Sequence, residues 1–390
     1  MSNKTLSCLD LTYIQVSGAL SLPVILVGYV MGQHFSMQQC LMQIVIGNIV
    51  LCAMACCYMP VIKQHNMSTI DFATYLFGRQ GAIFCALGMV TSLIGWSAIQ
   101  LHLLSSMFSN PIIGVFIMTA IVMIASAKEI TGLTNVNKIL LPALIASLMY
   151  LLFSTSNSAI MMKLPDALPM QVGIVLAITA GSGVIFDLPT FYRFSQSTKS
   201  GTSSVLLLFL VAYPLIEGFG IYLSRLAVGS STDVSQFLQQ FNRISLIFLL
   251  LSGMVASCLN LYSSSIIINR TTSLSYLKGL VFVAICAGSL ALVDIQKHYS
   301  LFLETISVSS EILGVLVLAY IVINRMKMPA PNVRQQTIHQ LFFILIMWVI
   351  IFSRFNQITL TGDLFLDVGV LTSGLMFVYY LPSYLLGART

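Results

Sequence analysis

The sequence predicts an all-α integral membrane protein of about twelve transmembrane helices. Three observations predict it. Of 390 residues only 18 are basic and 12 acidic, so charged residues make up 8% of the chain, against about 25% in an average soluble domain. Apolar residues make up 57% and the mean hydropathy is +0.94, which leaves too few polar groups to cover a globule in water. No Asp, Glu, Lys or Arg occurs in the 52 residues from Leu11 to Ile62 or in the 48 from Gln80 to Ala127. The same figures exclude intrinsic disorder, collagen-like repeats and a disulfide-rich secreted class.

The spans follow in order. A bilayer-crossing helix needs about 20 apolar residues, so each of the two uncharged stretches holds two spans and a turn. Single spans follow at Ile139–Met162, Ala167–Phe186, Ser200–Ser224, Ile244–Asn269 and Gly279–Val293. The last three are Thr305–Asn324, Gln335–Ser353 and, near the end, Leu364–Gly387. With the N-terminus inside, the inner segments carry 13 of the basic residues, among them Lys63, Lys138, Arg193 and Arg270, and the outer loops carry 5. This satisfies the positive-inside rule and puts both termini in the cytoplasm, as an even span count requires. The first apolar run is too long for a cleavable signal peptide and lacks a convincing cleavage site. The expected location is the cell membrane.

Composition also narrows the function. No basic cluster with interleaved aromatics points to nucleic acid. The eight cysteines show no zinc spacing, and most fall inside spans as small apolar packing residues. The connections are short, so a soluble catalytic domain has nowhere to fold, and few ionisable groups are present. An enzyme, a cofactor and a protein partner are therefore not expected. The expected partners are the lipid bilayer and a small-molecule substrate.

Two spans carry helix-breaking residues at mid-membrane. Span one reads Gln15-Val-Ser17-Gly18-Ala19-Leu-Ser21-Leu-Pro23, and span six reads Thr179-Ala-Gly181-Ser182-Gly183 before Asp187-Leu-Pro189. Backbone freed by such a break survives in lipid only if it lines a cavity or is buried in protein. Spans one and six are equivalent positions of two five-helix halves, and a matched pair of interrupted helices points to a transporter's midplane site. Glycine also serves simple close packing of membrane helices, and that reading stays open.

The polar residues inside the spans supply the candidate chemistry. Trp96 and Gln100 are four apart on span three and share a helical face. An indole plane beside a carboxamide suits a flat heterocycle with amide-like edges, although an interhelical hydrogen bond with a packing tryptophan fits the same residues. His102 lies about 120° around the helix from Trp96 and is read as structural. Asn260, deep in span eight, offers a second amide. Glu217 in span seven and Glu311 in span ten are the most deeply placed acids, and an intramembrane acid is a functional candidate by default. Each is either a protonatable coupling group or a structural donor. Asp187 and Arg193 have the spacing of a local ion pair that pins the end of span six.

Four segments carry a family resemblance. Ser68 to Gly81, containing Phe77-Gly78-Arg79-Gln-Gly81, is similar to an S-F-G-x-x-G stretch between spans two and three. Gly95-Trp96…Gln100 is similar to G-W-x-x-x-Q in span three. Ile178-Thr179-Ala-Gly181-Ser182…Asp187…Phe191-Tyr-Arg193-Phe194 is similar to I-S-A-G-T-x-x-x-D-F-x-R-F in span six, and Asn260-Leu-Tyr262 matches in span eight. Together they resemble the nucleobase:cation symporter family, whose members include cytosine, allantoin and uracil permeases and a hydantoin transporter. The resemblance covers roughly the first 270 residues.

It implies a leucine-transporter-like fold. A ten-helix core over residues 1–330 would hold inverted repeats at approximately 8–160 and 165–328, with two peripheral helices in 331–390. A substrate site would lie between helices one, three, six and eight, with Trp96 stacking on the ligand, Gln100 and Asn260 bonding its edges, and Ala177, Thr179, Gly181 and Ser182 lining it. The coupling ion would be Na+ or H+. A sodium site would use the break at Gly18, Ala19 and Ser21 together with Ser257. The family's helix-six aromatic is replaced here by Leu176-Ala177-Ile178-Thr179. The hydroxyls that precede the helix-eight amide in sodium-coupled members are replaced by Met254, Val255 and Ala256. Proton coupling through Glu311 or Glu217 is therefore carried beside sodium. The expected function is import of a nucleobase or related planar heterocycle (cytosine-, purine- or hydroxymethylpyrimidine-like) by cation-coupled alternating access. The alternatives are an amino-acid transporter of the same fold and a non-transporting ligand sensor.

Overall fold

The computed structural model describes residues 5–105, 107–155, 169–226, 243–293, 312, 314–322, 324 and 331–355. Among them the secondary structure is helical apart from one isolated bridge, Leu6 with Ser195. The helices are α1 (Cys8–Ala19), α2 (Leu22–His34), α3 (Met37–His65), α4 (Thr69–Ser105), α5 (Pro111–Ser126) and α6 (Glu129–Thr155). Then come α7 (Met170–Tyr192), α8 (Thr198–Leu207), a π-helical turn (Leu208–Ala212), α9 (Tyr213–Leu226), α10 (Arg243–Thr271), α11 (Tyr276–Leu292) and α12 (Val333–Phe355). Residues 314–322 are helical as well.

Six helical stretches are long and apolar enough to cross a bilayer, and the bent pair α1–α2 makes a seventh. Two shorter apolar helices, Pro111–Ser126 and Tyr276–Ala291, fill the places of spans four and nine. Large side chains such as Phe84, Leu87, Phe116, Ile124 and Leu215 lie exposed on the outside. In water such a surface would drive association; against lipid tails it costs nothing. The chain is a multi-pass integral membrane protein. Glu311, span twelve and most of span ten lie outside the described residues.

Span one breaks as the sequence predicts. Ser7 and Asp10 form a capping box that starts α1, worth about 1 kcal/mol. The helix stops at Ala19, and α2 restarts behind Ser21 with Pro23 in its first turn. Proline is tolerated there because its missing N–H would have no helical partner. The two halves are bent by 53°.

Span six does not break. α7 runs continuously from Met170 to Tyr192 and even contains Pro189. The expected matched pair of interruptions is corrected to one. The reason is packing. A Cβ at Gly181 would lie 2.6 Å from Leu51 of α3 and 3.0 Å from Phe209 of the π turn, so this glycine permits close approach rather than a kink. The irregular backbone in this half of the molecule sits instead in span seven, at the π turn. The helix that leads into span three, α4, also differs from a plain helix. Gly78, at φ 67° and ψ 175°, divides α4 into a short first part and a long second part, a conformation that excludes most side chains. The carbonyls orphaned at that break are met by α12: His339 Nδ1 lies 3.0 Å from Leu76 O, Gln336 donates to Tyr75 O at 3.4 Å, and Gln340 donates to Phe77 O.

One end of the bundle gathers charge and polar contacts. The segment before α1 bridges to the α7–α8 turn, where Leu6 N–H donates to Phe194 O and Lys63 Nζ donates to Ser195 O at 2.6 Å. Asp10 meets Lys138 at 2.6 Å. The Asp187–Arg193 pair is corrected. Arg193 lies 3.9 Å from Asp71, while Asp187 accepts from Ser263 of α10 at 2.5 Å and from Thr69 of α4 at 3.1 Å. Asp187 thus joins three helices instead of pinning one loop.

Candidate functional site

Helix faces define where a ligand fits. On α4 the exposed residues Ile83, Phe84, Leu87 and Thr91 mark the lipid side. At about 100° per residue, Trp96 lies about opposite that stripe, with Gln100 some 40° further on. Trp96 is half-buried, and Gln100 is only 4% exposed. Gln100 is turned to α10: a Cβ at Gly253 would sit 3.1 Å from its Oε1. Glycine at 253 is what lets the carboxamide lie against the α10 backbone.

Three contacts orient α10. Gly253 faces α4, Ser263 faces α7 through Asp187, and Leu259 faces α1, where its Cδ1 would lie 2.4 Å from a Cβ on Gly18. On the helical wheel Asn260 falls between the α4-facing and α7-facing directions, and it is half-buried. These contacts also set the levels along the membrane normal. Counting about 1.5 Å per residue from Gly253–Gln100 and from Ser263–Asp187 brings Trp96, Ser257 and Gly181 to nearly the same depth. Asn260 lies about one turn nearer the charged end, close to the level of the α1 break.

α7 presents two faces. Thr179 and Gly183 are exposed and four apart, and Asp187, four further, reaches α10 and α4 on nearly the same side. Nothing lies within 4 Å of a Cβ built on Gly183, so open space adjoins this face. Phe191 closes the end of the gap against Tyr262, with ring centroids 5.4 Å apart. Ala177 and Gly181 occupy the other face. A Cβ on Gly47 of α3 would be 2.6 Å from the Ala177 Cβ, and Gly181 meets Leu51 and Phe209. The structure therefore places Thr179 on the exposed face of α7 and corrects Ala177 and Gly181 to α3-packing positions. Ser182 is buried and donates to the Thr179 carbonyl at 3.0 Å.

The sodium constellation does not assemble. Ser257 and Leu259 are two residues apart, about 200° around the helix. Leu259 meets Gly18, so Ser257 faces away from α1. Its hydroxyl is fully buried without a partner among the described residues. Ala19 and Ser21 are buried at the break, where the Ala19 carbonyl accepts from Ser21 N–H at 2.7 Å. Val255, in place of a hydroxyl residue, is 0% exposed. His102 is structural, with Nδ1 2.9 Å from the Ala291 carbonyl of α11.

No family model and no curated protein matches the sequence. Solved structures do. Mhp1, described as a nucleobase-cation-symport-1 family transporter and solved closed with bromovinylhydantoin bound, superposes with a TM-score of 0.72 at 13% identity, covering 98% of this chain and 93% of that one. A Na+-coupled sialic acid symporter in a substrate-bound outward-open state gives 0.67 at 14% identity, over 98% and 90%. A manganese transporter of Eremococcus coleocola gives 0.56 at 13% identity, over 97% and 95%.

The chain has the leucine-transporter fold.

At these identities the likeness is one of fold, and it supports the nucleobase:cation symporter resemblance read from the motifs. In the leucine-transporter fold of this chain, helix one is α1–α2, helix three the second part of α4, helix six α7 and helix eight α10. Of these, α4, α7 and α10 meet at Asp187, one turn from Gly183.

Glu217 stands apart from that gap. It is 0% exposed in α9 and accepts from Asn48 Nδ2 of α3 at 2.6 Å. Asn48 escaped the sequence reading. A signal was present in the small-residue spacings Gly28-xxx-Gly32 on α2 and Gly220-xxx-Ser224 on α9, a pattern of tight membrane-helix contact. A Cβ on Gly28 would lie 2.0 Å from the Glu217 carbonyl, and one on Gly220 2.1 Å from the Ile25 carbonyl. The second half of span one, α2, is thus sealed onto the helix that carries the buried acid.

Proposed function

We propose that the protein is a cation-coupled secondary transporter that imports a nucleobase or a related planar heterocycle by alternating access. The supporting observation is the Trp96–Gln100 stripe, turned away from lipid and toward the α10 backbone, with Asn260 on the adjoining face. In this reading Trp96 stacks on the ligand, Gln100 and Asn260 bond its edges, and Thr179 flanks it. A carboxamide offers a donor and an acceptor side by side, which is the pattern of a ring lactam or amidine. The second stacking wall that an aromatic on α7 would supply is absent from Leu176–Thr179, so in this reading Trp96 supplies the stacking face.

The coupling cation is Na+ or H+, and the turn of Ser257 away from α1 weighs against the sodium arrangement. The protein would reside in the cell membrane with both termini in the cytoplasm. Lys63, Lys138, Arg193 and Arg270 all belong to the polar end that also holds the N-terminal segment. Residues 1–330 would form the transport core and 331–390 the two further helices.

Tryptophan scarcity supplies the test. Only Trp96 and Trp348 are present. In a Trp348→Phe background, purified protein is titrated with bases, hydantoins and amino acids, with and without sodium, while Trp96 fluorescence is followed and corrected for ligand absorption. Saturable quenching by one planar heterocycle, lost in Gln100→Ala, is the expected result. Response to amino acids but to no base would select the amino-acid reading. Saturable binding without counterflow in proteoliposomes would select the sensor.

A further inference from the structure

The pair Glu217–Asn48 has an imbalance that one proton resolves. Both N–H groups of the Asn48 amide are used: Nδ2 donates to Ile44 O at 3.0 Å and to Glu217 Oε2 at 2.6 Å. The first of these bonds fixes the amide's orientation. Two acceptors are then left buried without a donor, Glu217 Oε1 and Asn48 Oδ1. An ionised carboxylate in this place would hold one hydrogen bond and no counter-charge at 0% exposure, the arrangement buried charges avoid.

Among the described residues the surrounding elements offer no cation. α2 presents Gly28 and the phenol of Tyr29, with His34 at its far end; α3 presents Asn48 with Cys52 one turn away; the π turn leads into Tyr213. On α9 itself Arg225 is eight residues on, about 12 Å along the axis, and donates to Phe35 O.

We propose that Glu217 is a proton-binding site: protonated on Oε1, it closes a cyclic acid–amide pair with Asn48, and this proton is the coupling ion of the transport cycle. A proton taken from water on one side neutralises the carboxylate, and its release to water on the other side restores it. The coupling route is short. Gly28 packs on the main-chain carbonyl of Glu217, so a shift of α9 that accompanies a change in the charge of its acid is felt directly by α2, the second half of the broken span. Asn48 adjoins Gly47, which packs on Ala177 of α7, so the helix that carries the amide also touches α7. The coupling role rests on the transporter reading above; the protonated pair does not.

Two arms test it on the full chain. Infrared difference spectra of wild type against Glu217→Gln, in lipid nanodiscs at neutral pH, should show the carbonyl stretch of a protonated carboxylic acid in wild type alone. That band should shift in Asn48→Leu. Glu217→Gln should fold as wild type does, because its amide completes the same pair. Carboxylate bands in place of the acid band would overturn the proposal. In proteoliposomes, labelled cytosine and uracil should accumulate under an imposed proton gradient in wild type. Glu217→Gln should keep exchange but lose gradient-driven accumulation. Accumulation under a sodium gradient alone, unchanged in Glu217→Gln, would overturn the coupling role. A wild type inert to both bases with the acid band present would remove the substrate reading and the coupling role together, while establishing the protonated pair.

Discussion

Glycine at position 28 is expected to be indispensable, and Gly218, next to Glu217 on α9 but off the interface, dispensable. A Cβ on Gly28 would stand 2.0 Å from the Glu217 carbonyl oxygen and 2.7 Å from its carbon, both backbone atoms. That is about 1.4 Å short of the 3.4 Å at which ordinary contact begins. No rotamer relieves it, so α2 must move bodily off α9. Overpacking of this kind costs about 1–3 kcal/mol, and the upper half of the range applies because both partners are main chain. About 2–3 kcal/mol is a factor of roughly 30 to 150 in the population of the seated arrangement. Gly218→Ala is the internal control: it lies on the same helix beside Glu217, with nothing within 4 Å of its Cβ. Four of the eight cysteines, Cys40, Cys52, Cys85 and Cys258, are buried, so a thiol-reactive fluorophore reports unfolding of the purified protein as it is heated. Gly28→Ala should melt clearly below wild type, Gly220→Ala likewise, and Gly218→Ala with it. Equal melting of Gly28→Ala and wild type would refute the reasoning that α2 is sealed to α9 through backbone contact.

Further outcomes follow from the same packing. Gly181→Leu should unfold at lower temperature because Leu51 and Phe209 already occupy the space, whereas Gly183→Leu should keep wild-type melting and abolish ligand quenching of Trp96 by filling the gap. Asp187→Asn should loosen the closed end, since hydrogen bonds to a charged acceptor are worth about 1.5–3 kcal/mol. Melting below wild type in the same thiol assay, with Ser263 left in place, measures it. His339→Ala should destabilise by about 1–3 kcal/mol by leaving the Leu76 carbonyl at the Gly78 break without its partner, again read by thiol melting. Lys138→Ala should change melting little, because the pair with Asp10 is partly exposed and such pairs contribute about 0–1 kcal/mol.

The Gly18–Ser21 interruption was legible because its causes are local: a glycine, a short polar run and a proline placed where a helix restarts. The inward turn of Trp96 and Gln100 was legible because spacing fixes a helical face. The apparent break at Thr179–Gly183 was misread for the converse reason. Glycine permits both a kink and a close approach, and the choice lay with Leu51 and Phe209 on other helices. Ser257 failed as a partner of the α1 break because sequence fixes which residues share a face but not which neighbour that face meets. Asp187 and Arg193 were near in sequence, yet their partners came from α4 and α10.

Sequence alone determined the solvent of this protein, the rough bounds of the spans that the structure describes, and the break in span one, since hydropathy, charge placement and helix-breaking residues act locally along the chain. Only the tertiary structure decided which faces meet. The Asn48–Glu217 pair joins residues 169 positions apart, and the seat of α2 on α9 and the latch of α12 on the Gly78 break depend on helix contacts that no local pattern encodes. A buried polar group takes whatever partner packing delivers, and among the described residues packing delivered to Glu217 an amide and no cation.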